Sequence, residues 1–161
     1  MNQRNFSVCS AVAITCAALL VPALAGADTA SEVKAVVEQS NAYTIANLSA
    51  EKDDVSKHGA LEFWSSGGLL QRVSNADPQQ KFTAFSLTTK HIEVITLVEN
   101  QAAVAMYYSE GSMQPVGSSA VSHYLTRVTE VFVKEGDTWK RRAAHFSPIT
   151  GGQGTSQTAV Q

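Results

Sequence analysis

The stretch from Tyr124 to Pro148, YLTRVTEVFVKEGDTWKRRAAHFSP, constrains this chain more than any other. Its first arm, Tyr124 to Val133, is rich in β-branched and aromatic residues. Gly136-Asp137 supplies the permissive backbone that a two-residue hairpin loop needs, and Trp139 to Ser147 forms the return arm. If Gly136-Asp137 is that loop, facing residues sum to 273, which sets Glu130 against Ala143, Val128 against His145 and Phe132 against Arg141. Glu130, Arg141 and His145 then share one face, with diagonal neighbours within reach of long side chains. Two pairings compete on that face, an acid/base pair of Glu130 with His145 and a structural ion-pair ladder from Glu130 to Arg141. A bulge in either arm shifts the register and breaks the grouping.

The rest of the chain surrounds this hairpin with helical, then β, patterns. Ser31 is placed to cap a helix over residues 31–49, in which Val33, Val36, Val37, Ser40, Tyr43, Thr44 and Asn47 recur at helical spacing. The segment AEKDDVSKHGALEF reads as a second, shorter helix. Trp64 and the paired glycines after it break helical periodicity, and Asp77-Pro78 can start a third short helix through Phe82 or Phe85. His91 to Val98 alternates as a strand, Glu99-Asn100-Gln101 turns, Ala102 to Ser112 returns, and Gly111 to Ser119 reads as a linker. Helices first and strands after indicate an α+β layout, with helices on one face of an antiparallel sheet of at least four strands.

The two ends read differently. Arg4 precedes an apolar run from Val8 to Val21, followed by the small-residue sites Ala23-Leu24-Ala25 and Ala25-Gly26-Ala27, the pattern of a cleaved signal peptide over residues 1–27. That run falls short of the roughly 20 residues a membrane-spanning helix requires. The expectation is an exported protein, periplasmic or secreted, with no membrane attachment once the segment is removed. Residues 28–150 form the domain, and residues 151–161, rich in Gly, Ser, Thr and Gln, read as a mobile tail.

Composition excludes several chemistries. Both cysteines, Cys9 and Cys16, fall in the segment to be removed, which leaves no thiol for a disulfide, a metal or a nucleophile. The same cleavage takes Arg4 from the 12 basic side chains and none of the 14 acidic ones, for a net charge of −3. A mildly acidic domain lacks the footprint of a nucleic-acid binder. The single basic run, Lys140-Arg141-Arg142, alternates across a strand. Four histidines, His58, His91, His123 and His145, have no pair at metal-ligand spacing, so no metal is expected. Neither G-x-S-x-G, the P-loop nor the dinucleotide fingerprint occurs, and no cofactor is expected.

The pattern R-x-T-x-V-(x)4-G-(x)2-W-(x)5-H-x-S in the hairpin resembles the closing hairpin of the nuclear transport factor two-like superfamily. The SnoaL-like branch and the association domain of calcium-calmodulin-dependent kinase II are the nearest in pattern, and His91-Ile92 and the Ala-x-Ala-x-Tyr-Tyr segment add to the second. The resemblance spans approximately Val33 to Ile149 and implies a conical fold, with helices packed on a curved sheet that encloses a pocket. It also implies a ligand site built from Tyr43, Trp64, Tyr108, Glu130 and Arg141, and a homodimer formed through the outer sheet face. Where the association domain places arginines that hold a carboxylate, this chain carries Tyr108, Glu130 and Phe146, so an arginine cage for a small acid is not carried over.

Three functions remain open. The first is an exported domain that binds a small apolar or carbonyl-bearing molecule in its cavity. The second, which the isomerase and cyclase branches imply, is a cofactor-free isomerase, cyclase or dehydratase. There Glu130 or Glu110 would act as base and Tyr108 or His145 as donor, with Tyr43 and Tyr107 as further donors. Its mark is a carboxylate titrating well above its reference value of about 4.3. The third is an oligomerising scaffold.

Overall fold

The computed structural model describes residues 28–155; residues 1–27, where a signal peptide is expected, and the last six residues lie outside the described part. It is an α+β structure in which one helix, α1 (Thr29–Asn47), packs on a six-stranded mixed sheet. The strands are β1 (Ala60–Phe63), β2 (Gln71–Val73), β3 (Phe82–Val98), β4 (Ala102–Pro115), β5 (Val121–Glu135) and β6 (Thr138–Pro148). Their spatial order is β2-β1-β6-β5-β4-β3, and every pairing is antiparallel except β1 with β6.

α1 begins two residues earlier than Ser31 suggests, because Asp28 is the cap: its carboxylate accepts from the Ser31 N–H at 2.7 Å. The helix stops where Leu48 turns left-handed, its N–H reaching back to the Thr44 carbonyl. Val33 and Val37 are buried over Ala103 and Ala105 of β4, whose small side chains let the helix sit close, and Phe132 and Trp139 complete this core. Each such aliphatic or aromatic side chain contributes on the order of 1.5–3 kcal/mol. Glu32 ties the start of the helix to the hairpin, accepting from Lys134 Nζ and Trp139 Nε1, both at 2.7 Å. A second core at the other end of the sheet joins Leu87, Met113, Val121 and Tyr124.

Two expected helices are absent among the described residues. Residues 50–59 run as turns, and Ala60–Phe63 is a strand; Phe82 opens β3 directly, without a helix from Asp77. Charged and apolar residues in 50–63 mimic one helical turn, yet the segment's backbone is held by the sheet. Arg141 N–H donates to the Asp54 carbonyl at 2.8 Å, Ser56 N–H donates to the Arg141 carbonyl at 2.9 Å, and β1 pairs with β6. That parallel pairing is also why the sheet is mixed and not antiparallel throughout.

β3 and β4 are longer than their alternation indicated. β4 continues through Gly111 to Pro115, taking the first half of the expected linker into the sheet. At Gly111, φ is +147°, and a Cβ there would strike the Ser86 carbonyl on the neighbouring strand. The start of the tail is pinned: Gln153 N–H donates to the His123 carbonyl at 2.8 Å, and Thr155 lies against Ser65.

The β5–β6 register carries the main consequence for function. From Glu135 to Phe132 facing residues follow the expected sum, with Phe132 opposite Arg141. A bulge at Arg142 then shifts the pairing by one, so Glu130 faces Ala144, Val128 faces Phe146 and His145 faces Thr129. The expected grouping of Glu130, Arg141 and His145 on one face is thereby corrected. Arg141 stays with Glu130, while His145 rotates to the opposite face and packs edge-on against Phe63 at 5.6 Å.

Candidate functional site

α1 lies chiefly over β3 and β4, reaches β5 and β6 at Phe132, Lys134 and Trp139, and leaves space beside it over the rest of β5, β6 and β1. The result is a cleft of about 1080 Å³, walled by the helix, the loops around residues 50–55 and 71–80, and the sheet. Leu87, Met113, Tyr124, Val128, Phe132 and Phe146 give it apolar walls.

Its polar floor follows from one row of the sheet. Ala105, Glu130, Ala144 and Glu62 lie side by side across β4, β5, β6 and β1, so two inward glutamates flank a single alanine. Arg141, held inward by its place just before the bulge, reaches both. Its Nε is 3.0 Å from Glu62 Oε1 and its Nη1 is 3.5 Å from Glu130 Oε1. Its Nη2 is 3.1 Å from Asp54 Oδ2, because the backbone bonds between residues 54–56 and Arg141 bring that loop alongside β6. The second oxygens of the two glutamates have neutral donors: Tyr107 Oη donates to Glu130 Oε2 at 3.0 Å, and Trp64 Nε1 donates to Glu62 Oε2 at 2.8 Å. The Glu62–Arg141 contact is close without being an aligned hydrogen bond, so Glu62 Oε1 and Arg141 Nε are both buried without one.

Burial sets the electrostatics. Glu62 is 4% exposed and Glu130 5%. Burial pushes the Glu130 carboxyl above the ordinary carboxylate range, against the opposing pull of the Arg141 charge and the Tyr107 hydrogen bond. Tyr107 is pushed well above the usual phenol range, by burial first and by the adjacent Glu130 charge second, which keeps it a hydrogen-bond donor. Burial also works against the charge on Arg141, but Glu62, Glu130 and Asp54 more than offset it, so the guanidinium stays protonated.

Of the residues singled out in the sequence, Glu130, Arg141, Trp64 and Tyr107 meet in the cleft. The others do not join them. Tyr43 projects to solvent at 39% exposure, and Tyr108 lies on the outer face, edge-on to His91 at 6.1 Å. Glu110 pairs with Lys90 at 2.6 Å at the surface, and the hydrogen bond from that lysine lowers its pKa, the reverse of what a base at neutral pH requires. His145 is on the face opposite Glu130. Asp54 and Glu62 were not singled out, because a helix was expected there. The signal available for Glu62 was a lone carboxylate inside the apolar run Ala60-Leu61-Glu62-Phe63, the same pattern that marked Glu130.

Among the described residues, no three His, Cys, Asp or Glu side chains are grouped to hold a metal ion, and no helix is long and apolar enough to cross a membrane. No family model, curated protein or solved structure matches the chain.

Proposed function

We propose that this is an exported domain of the nuclear transport factor two-like kind, with its helix and sheet in the conical arrangement, that binds a small, largely apolar molecule. The observation that carries this reading is the cleft itself: apolar walls over a floor where a few buried, convergent polar groups are held in place by one another. Ile95, Met106 and Tyr108, half-exposed on the sheet face away from α1, favour a homodimer through that face. Native mass spectrometry of the protein purified from a periplasmic extract tests both points. A dimer carrying a small-molecule adduct is expected; a ligand-free higher oligomer would shift the reading to a scaffold.

The elevated Glu130 carboxyl favours a second reading, cofactor-free isomerisation, cyclisation or dehydration with Glu130 as base. Tyr107, already bonded to Glu130, positions that carboxylate in this scheme. A normal carboxylate titration for Glu130, followed by ¹³C NMR, together with unchanged ligand binding in Glu130→Gln, would remove it.

A further inference from the structure

The charge of the cleft narrows the class of molecule that fits it. All 14 acidic side chains and 11 of the 12 basic ones fall within the described residues. Eight of those acidic side chains line the cleft, against four of the basic ones, so the six acidic and seven basic side chains elsewhere nearly balance. Four of the eight, Glu51, Asp53, Asp77 and Asp137, are exposed at the rim and Glu32 is paired with Lys134, so the poorly screened acidic charge of the site is that of Asp54, Glu62 and Glu130 at the floor.

Among the described residues, the cation at the floor is Arg141, and it is committed. Each of the three guanidinium nitrogens of Arg141 already faces a carboxylate, at 3.0, 3.1 and 3.5 Å. An incoming anion would have to displace one of them while meeting the other two. Three carboxylates against one guanidinium leave the floor short of positive charge, and Glu62, buried and lining the cleft, keeps Oε1 without an aligned donor. A donor carrying positive charge satisfies both deficits, and charge-assisted contacts to a carboxylate are the strong ones. Trp64, whose indole N–H is fixed on Glu62 Oε2, lines the same wall and offers a ring to a cation.

We infer that the ligand is a cationic amphiphile, an apolar body bearing a protonated amine or amidine, with its head group at Glu62 and Asp54 beside Trp64 and its body along Leu87, Met113 and Phe146. This rests on the small-molecule-binding reading above and specifies its ligand.

The test uses three probes that share an eight-carbon chain, octylammonium, 1-octanol and octyl sulfate, titrated into the purified protein at low ionic strength by calorimetry, with amide shifts read by NMR. Octylammonium should bind roughly tenfold or more tighter than octanol, the scale of one hydrogen bond to a charged group, and octyl sulfate more weakly than either. The octylammonium preference should shrink as salt is added. Glu62→Gln should lower the ratio of octylammonium to octanol affinity severalfold. Asp54→Asn, at a more exposed position, gives the same readout if Glu62→Gln does not fold. Octanol binding as tightly as octylammonium, or octyl sulfate binding most tightly, overturns the cationic assignment and leaves the cleft a binding site. If none of the three perturbs cleft amides, the binding reading fails and the assignment with it.

Discussion

Glu110 and Glu130 sit on neighbouring strands of one sheet, and each meets a single basic side chain, yet they occupy opposite physical regimes. Glu110 touches Lys90 at 2.6 Å with both side chains more than 40% exposed. Glu130 approaches Arg141 no closer than 3.5 Å, and its side chain is 7% exposed. The shorter contact is the weaker one, since water screens it and two long side chains must be ordered to make it. The longer contact lies where the field is poorly screened and where removing one partner strands the others. Distance alone does not rank ion pairs; burial does.

The largest break in this comparison comes from Arg141→Met, which leaves Asp54, Glu62 and Glu130 uncompensated around an apolar side chain. A loss of about 3–5 kcal/mol in urea-unfolding free energy is expected. A loss under about 1 kcal/mol would show that water or protonation already relieves the cluster. Next, Tyr107→Phe removes the donor to Glu130 Oε2 and should cost about 1–3 kcal/mol, raising the Glu130 pKa further, as NMR titration would show.

Glu130→Gln sharpens the contrast through pH. The native state holds the Glu130 proton more tightly than the unfolded chain, so in the window from the ordinary value of 4.5 up to the raised native value the native state binds more protons. Stability contributed by this group is therefore lost as pH rises through that window. Glu130→Gln should abolish that slope, read as urea midpoints from pH 4 to 8, and the change should be smaller than for Arg141→Met because Glu62 and Asp54 still pair the guanidinium. The smallest effect belongs to Glu110→Gln, which should leave the midpoint at neutral pH unchanged within error. Its contribution has the opposite sign, because its lowered pKa means that stability is lost as pH falls below the ordinary carboxylate range. A large shift at neutral pH for Glu110→Gln would collapse the distinction between the two glutamates.

Much of this could be read in the chain before folding was considered. The His91–Val98 half of β3, the strand arms of β4 to β6, the turn at Gly136-Asp137 and the α+β class follow from alternation and turn chemistry, and the placing of Glu130 and Arg141 on one face from hairpin register. The inward direction of Glu130 was legible for the same reason: a carboxylate among Val128 and Phe132 shares their face. Equally plain patterns misled where tertiary contacts outweighed local preference. Residues 50–63 carry a helix-like mix of charge and apolarity, but the exposed edge of β6 recruits them as a bridge and a parallel strand, and hydrogen bonds to a distant strand leave no periodic trace.

The sequence by itself determined which segments alternate, where the chain can turn, and that a buried glutamate and an arginine would share a strand pair, since each depends on neighbours within a hairpin. Only the tertiary structure decided the rest: the bulge at Arg142 that turned His145 outward and Phe146 inward, the arrival of Asp54 and Glu62 beside Arg141, and the cleft beside a helix that lies chiefly over β3 and β4. A one-residue bulge changes the facing of everything after it, and residues 54, 62 and 141 come together only once strands far apart in the chain have paired.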